Sequence, residues 1–190
     1  MSIRLNKYLA SIGIASRRQV DQFIDQGLIK VNNKIATQGI KIEPDKDQIT
    51  VNGQPIKNTT QQFEYYILNK PLGVITTVKD NLGRPTAVSL IKTKTRVFPV
   101  GRLDQDTEGL LLLTNDGELT NLLTHPRYHL PKTYQLTLMH APPAAALAKL
   151  SHGVKLTDGM TAPAEVQLIE SSPATILLTI YEGRNRQIRR

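Results

Sequence analysis

Residues 101–117, GRLDQDTEGLLLLTNDG, constrain the fold of this 190-residue chain more than any other stretch. Leu110 to Leu113 form a short apolar run bounded by turn residues, which reads as a fully buried strand. Directly before it lies a glycine-flanked loop carrying Arg102, Asp104, Asp106 and Glu108. Charges crowded against a core segment cost desolvation unless each is solvated, paired or used. Asp104 is thus a carboxylate mounted on a rigid support. Many acidic loops beside strands are merely solvated turns, so the loop alone does not fix a function.

Charge narrows the choice. The net charge is +8 and the pI near 9.8. Residues 1–57 hold nine Lys/Arg against five Asp/Glu, and the rest fifteen against eleven, so each part carries about four positive charges. A polyanionic partner facing both parts is expected. The absence of cysteine excludes a disulfide framework, a cysteine zinc site and a thiol nucleophile. His125, His129, His140 and His152 lack metal-ligand spacing backed by carboxylates, so no metal is assigned. Arg4 and Lys7 interrupt the N-terminus where a signal peptide needs an apolar run, and no apolar segment reaches membrane-spanning length. A cytoplasmic, monomeric protein is expected.

Along the chain, Leu5, Tyr8, Leu9 and Ile12 recur at helical spacing, and Gly13 ends that helix. Ser16 and Gln19 form a capping box for a second helix, whose stripe is Val20, Phe23 and Ile24 before Gly27. Hairpins are predicted where Leu28–Val31 turns at Asn32-Asn33 and where Ile49–Val51 turns at Asn52-Gly53. This unit, with Arg17 and Arg18 opening its second helix, resembles the S4 RNA-binding domain. Positive charge at a helix N-terminus is unfavourable by a few tenths of a kcal/mol, a sign that an anionic ligand would reverse. Polar residues 57–62, KNTTQQ, read as a linker.

Beyond it, Tyr65–Leu68 and Val74–Val78 are strand candidates joined by the turn around Pro71 and Gly73, and residues 81–86 form a loop carrying Arg84. Asn115 or Asp116 caps a helix with Leu119, Leu122 and Leu123 inside, ended at His125-Pro126. Tyr134, Leu136 and Leu138 alternate with Thr133, Gln135 and Thr137 along a strand, with Tyr134 on the core side. Pro142 and Pro143 open an alanine-rich helix that stops at Gly153. Further strands are expected at 154–156, 164–169 and 176–181, with a turn at Asp158-Gly159. Strands outnumber helices without strict alternation, which argues for an α+β fold with a mixed, largely antiparallel sheet and flanking helices. The closing RNRQIRR sets Arg186, Arg189 and Arg190 on one face of a short helix without a stop signal, so the chain is expected to continue past residue 190.

Three motifs in order, the 101–117 loop, Lys132-Thr133-Tyr134 and residues 182–190 (EGRNRQIRR), resemble those of the ribosomal RNA pseudouridine synthases that carry an N-terminal S4 domain. The resemblance spans essentially the whole chain. It implies an S4-like domain at 1–57, a linker at 58–63 and a catalytic domain at 64–190 lacking its C-terminal part. It implies an isomerase that converts uridine to pseudouridine, leaning toward 23S rRNA, and it needs no cofactor. Asp104 falls on the family's catalytic aspartate, Tyr134 on its active-site tyrosine and Arg189 on the arginine that pairs with the aspartate, with Arg186 as second choice. RNA contacts are expected from Arg4, Lys7, Arg17, Arg18, Lys30, Lys70, Arg84, Arg102, Lys132, Arg184 and Arg186.

The chemistry suits these residue types. Breaking the N1–C1′ bond makes C1′ electron-poor, and a carboxylate can stabilise it, attack it, or take part in proton transfer from C2′. Under a bound substrate, desolvation favours a neutral acid, so an opposing cation is required. A tyrosine ring can stack on the base and its hydroxyl can relay a proton. Two other classes compete. One is a non-catalytic S4-type RNA-binding protein, and the other a hydrolase pairing Asp104 with Glu108, for which the basic N-terminal module has no purpose.

Overall fold

The computed structural model describes residues 2–56 and 62–190, and its backbone divides into two compact units, Met1–Glu118 and Leu119–Arg190. The polar stretch expected to be a linker lies largely outside the described residues.

The first unit begins with β1 (Ile3–Arg4) and α1 (Leu5–Ser11), which buries Leu5, Tyr8 and Leu9. In α2 (Arg17–Asp25) the capping box forms as expected: the Ser16 hydroxyl accepts from the Gln19 N–H, and the Gln19 side chain accepts from the Ser16 N–H. Gly27, at φ 69°, follows its C-cap. Five short strands succeed it: β2 (Ile29–Val31), β3 (Lys34–Ile35), β4 (Lys41–Ile42), β5 (Ile49–Val51) and β6 (Gln54–Pro55). The β2–β3 and β5–β6 turns are built as predicted, since Asn32, Asn33, Asn52 and Gly53 all take positive φ, the requirement of a tight type I′ hairpin. The sheet order is β3-β2-β5-β6, with β1 paired separately to β4. Ile29, Val31, Ile49 and Val51 point from this sheet onto Leu5, Leu9, Val20 and Ile24, closing a small core.

A second core in the same unit lies on one face of a three-stranded antiparallel sheet made of β7 (Tyr65–Lys70), β8 (Phe98–Pro99) and β9 (Gly109–Thr114), with β9 central. Leu111 and Leu113 are buried there with Val74, Ala87 and Val97, the leucines and valines each worth roughly 1.5–3 kcal/mol relative to exposure. The apolar run is therefore buried on one face only: Leu110, on the other face, is 75% exposed. A continuous run cannot reveal this, because it is equally apolar on both faces. Val74–Val78 is not a strand either. It makes a single bridge, Ile75 with Thr86, in which Ile75 donates to Pro85 and accepts from Ala87.

The division between units falls within α3 (Gly117–Thr124), started by the Asp116 carboxylate accepting from the Glu118 N–H. Leu122, expected inside, is 47% exposed. In the second unit β10 (Lys132–Thr137) shows the predicted alternation, with Lys132, Tyr134 and Leu136 half-buried. Helix α4 (Ala144–His152) runs from Pro143 to Gly153. The β11 (Lys155–Leu156) and β12 (Gly159–Met160) hairpin follows, then β13 (Glu165–Ser171) and β14 (Ala174–Ile180). β14 pairs antiparallel with β10 and β13, and Ala174, Ile176, Leu178 and Ile180 are buried. The α+β expectation with largely antiparallel sheets holds. The terminal segment differs: residues 185–189 form a turn, not a helix, and Arg186 sits at φ 47°, which breaks the expected shared face.

Candidate active site

The Asp104 loop leaves β8 and re-enters the sheet at β9. Gly101 at φ 77° and Gly109 at φ 125° bracket it, conformations that side-chain-bearing residues rarely adopt. It is fastened on both sides of the aspartate to residues 73–76. The Thr76 hydroxyl donates to the Leu103 carbonyl at 2.6 Å and accepts from the Leu103 N–H at 3.2 Å. One residue past Asp104, the Gln105 carbonyl accepts from the Gly73 N–H at 2.9 Å, and the Gln105 amide donates back to the Gly73 carbonyl at 3.2 Å. Asp104 itself is half-buried, its carbonyl accepting from the Thr107 N–H. The loop is fixed through bonds to its backbone and to the Gln105 side chain, none of which uses the Asp104 carboxylate.

Behind the 73–76 segment stands Lys70, the last residue of β7 and fully buried. Its ammonium donates to the carbonyls of Pro71 at 2.9 Å and Val74 at 2.8 Å. Burial pushes its pKa down, while the carboxylates of Asp106, Asp104 and Glu108 push it back up. The expectation that Lys70 touches RNA is corrected here: a buried ammonium spent on two carbonyls is an internal anchor, and it stands among the loop's acidic groups.

Asp104 opens onto a cleft of about 490 Å³ lined also by Thr76, Thr77, Lys79, Arg84 and Arg102. Arg84 is held by Asp80, four residues earlier, through its Nη2 at 2.8 Å and Nε at 3.3 Å, and Asp80 also accepts from the N–H groups of Leu82 and Arg84. The bonds from Arg84 hold the Asp80 carboxyl down to about 2. A carboxyl depressed this way contributes stability that is fully present above its ordinary 3.8 and lost as pH falls through about 2, so the loop keeps its charge across the neutral range. Asp80 was not foreseen, although its i, i+4 spacing to Arg84 was a usable signal. Arg102 is exposed in the same cleft. The first unit therefore brings Asp104, Arg84 and Arg102 together and adds Lys79.

In the second unit Tyr134 lies opposite buried Leu178 in the β10–β14 ladder, and Lys132, at the start of β10, donates to the Leu130 carbonyl. Arg186 and Arg189 are exposed in the terminal turn. Arg184 is engaged within the protein, meeting Glu182 at 3.2 Å and Asp158 at 3.7 Å, and Arg190 forms a two-armed pair with Asp158 at 2.9 and 3.0 Å. These bonds make a latch between the 157–160 hairpin and the chain end, which the sequence reading assigned to RNA contact in the case of Arg184. Among the N-terminal cations, Arg4, Arg17, Arg18 and Lys30 are exposed, and Lys7 meets Glu118 at 3.1 Å. Among the described residues no group of three or more His, Cys, Asp or Glu side chains could hold a metal ion, and no helix is long and apolar enough to cross a membrane.

Comparison with known proteins fits this site. Residues 64–190 match the RNA pseudouridylate synthase family and residues 3–47 the S4 domain. Ribosomal large subunit pseudouridine synthase B of Bacillus subtilis is 45% identical over 98% of this chain and 78% of its own length. The dual-specificity RNA pseudouridine synthase RluF of Escherichia coli is 37% identical over 100% of this chain and 64% of its own. A crystal structure of a pseudouridylate synthase superposes with a TM-score of 0.68 at 30% identity, covering 99% of this chain and 81% of that one. With a fastened aspartate loop, a cationic cleft around it and a family match across the whole second part, the chain belongs to the RNA pseudouridylate synthase family and is an isomerase that carries an S4 domain.

Proposed function

We propose that this isomerase converts a specific uridine of large-subunit (23S) ribosomal RNA to pseudouridine, with residues 1–57 as the RNA-binding domain, 58–63 as a linker and 64–190 as the catalytic part, acting as a cytoplasmic monomer. The observation that carries the reading is the cleft in which Asp104 faces Arg84, Arg102 and Lys79: one carboxylate for C1′ amid cations for the flanking phosphates. The name of the Bacillus subtilis relative supports the ribosomal substrate. Asp104 acts at C1′, Tyr134 stacks on the uracil and relays a proton, and Arg189 is the catalytic cation. Arg4, Lys7, Lys30, Arg84, Arg102, Lys132 and Arg186 add phosphate contacts to those of Arg17 and Arg18. Extruding the uridine costs a few kcal/mol, which these contacts offset. Mapping pseudouridines in rRNA from cells with and without the protein tests this directly: one large-subunit uridine should lose its modification, and an unchanged map would remove the assignment.

Arg17 and Arg18 open α2 with no acidic residue in its first turn and no ion-pair partner among the described residues. Replacing both by alanine is expected to weaken RNA binding and lower the slope of log affinity against log salt by roughly 0.7–0.9 for each lost contact. Turnover at saturating RNA should persist. An unchanged slope would make both arginines bystanders.

A further inference from the structure

Between Asp80 and Asp104 the chain has no acidic residue and five cations: Arg84, Lys92, Lys94, Arg96 and Arg102. Two of these line the cleft. The other three stand at every second position of 92–96, the segment that leads into β8. The threonines between them are turned inward onto a single carboxylate. Glu64 accepts hydrogen bonds from the hydroxyls of Thr93, at 2.8 Å, and Thr95, and from that of Tyr66. These bonds, with that from Thr95 first, pull the Glu64 carboxyl below its ordinary range, so it stays charged and keeps its grip. Glu64 is itself fixed, its N–H donating to the Asn115 side chain and its carbonyl accepting from the Thr114 hydroxyl.

The result is a segment held from inside by Glu64, with the two lysines left outside and Arg96 at its margin. Lys92 and Lys94 are exposed and Arg96 is half-buried, and none of the three has an ion-pair partner among the described residues. Burial pushes the Arg96 guanidinium below its ordinary value without a counter-charge to offset it. Like charges mounted this closely on a fastened backbone repel one another, a cost removed by a polyanion. Six residues past Arg96, after β8, the same chain delivers Arg102 to the Asp104 cleft.

We propose that Lys92, Lys94 and Arg96 form a phosphate-gripping ridge of the catalytic sheet, set in place by Glu64 through Thr93 and Thr95, that holds the RNA beside the target uridine independently of the arginines of α2. This rests on the reading that the chain acts on RNA. A plainer role for such lysines is to guard β8, an edge strand, against pairing with other chains.

The test uses the whole chain and an rRNA fragment spanning its modified uridine, with binding measured across a salt series. The Lys92→Gln/Lys94→Gln/Arg96→Gln variant should show a salt slope smaller by about 2, roughly tenfold or more weaker binding at low salt, a raised KM and an unchanged kcat. Thr93→Val/Thr95→Val, which keeps the charges but removes their anchor, should shift binding in the same direction by a smaller factor. If the triple variant fails to fold by circular dichroism, Lys92→Gln/Lys94→Gln carries the test, with a slope smaller by about 1.4. A folded variant that binds RNA like the parent overturns the ridge, and one that does so while self-associating identifies an edge guard instead. If the parent chain itself does not bind the fragment, the RNA reading fails, and the ridge with it.

Discussion

Asp104→Asn is expected to abolish pseudouridine formation, lowering turnover by on the order of a thousandfold or more, while leaving fold and RNA affinity near those of the parent. The expectation follows from how the loop is held. Thr76, Gly73 and Gln105 fix the backbone on either side of the aspartate, and none of those bonds uses its carboxylate. Asparagine therefore fits the same space. What it lacks is charge. In the isomerisation the N1–C1′ bond breaks, the base turns, C5 joins C1′, the C5 proton leaves to solvent and N1 gains one. Stabilising C1′, attacking it, or assisting proton transfer from C2′ all require an ionised oxygen, so a neutral amide forfeits each role. Tritium release from 5-tritiated uridine in rRNA reports the step directly. Activity within tenfold of the parent would remove Asp104 from the chemistry.

Lys70→Met is expected to damage both stability and turnover. Methionine fills nearly the same volume but cannot donate, so the Pro71 and Val74 carbonyls lose their partner in a buried site. An unsatisfied buried acceptor costs about 1–3 kcal/mol, and the acidic loop loses the cation standing beside Asp106, Asp104 and Glu108. A total of roughly 2–5 kcal/mol is expected, which for a chain of this length lowers the melting temperature by about 5–15 °C. The turn that relaxes contains Gly73, which holds Gln105, so the carboxylate next to it should lose its aim. Turnover should accordingly fall by more than RNA affinity, because the α2 arginines are untouched. Thermal denaturation and single-turnover kinetics on the same preparation separate the two effects. A variant as stable and as fast as the parent would show that Lys70 anchors nothing.

Where the chain's own local chemistry decides a structure, the sequence was sufficient. Ser16 and Gln19 cap α2 using bonds only three residues apart. Asn32-Asn33 and Asn52-Gly53 turn their hairpins because these residues tolerate positive φ. Pro143 and Gly153 bound α4, and the alternation of β10 survives as alternating exposure. The Asp104 loop was legible through its glycines, its crowded charges and its motif.

What local chemistry leaves open was settled by partners distant in the chain. Leu110 and Leu111 are the same residue type, and only the placement of β9 between β7 and β8 over one core exposes the first and buries the second. Val74–Val78 has strand composition, yet the partners it finds give it a bridge and a hydroxyl clamp in place of a ladder. Arg184 read as a phosphate contact until the fold brought Asp158 and Glu182 to it. Lys70 is the sharpest case. A lysine in isolation belongs in water or on a phosphate, since burying its charge is costly. Only a tertiary structure that supplies two carbonyls at hydrogen-bonding distance, with three carboxylates nearby, turns the same side chain into an internal anchor.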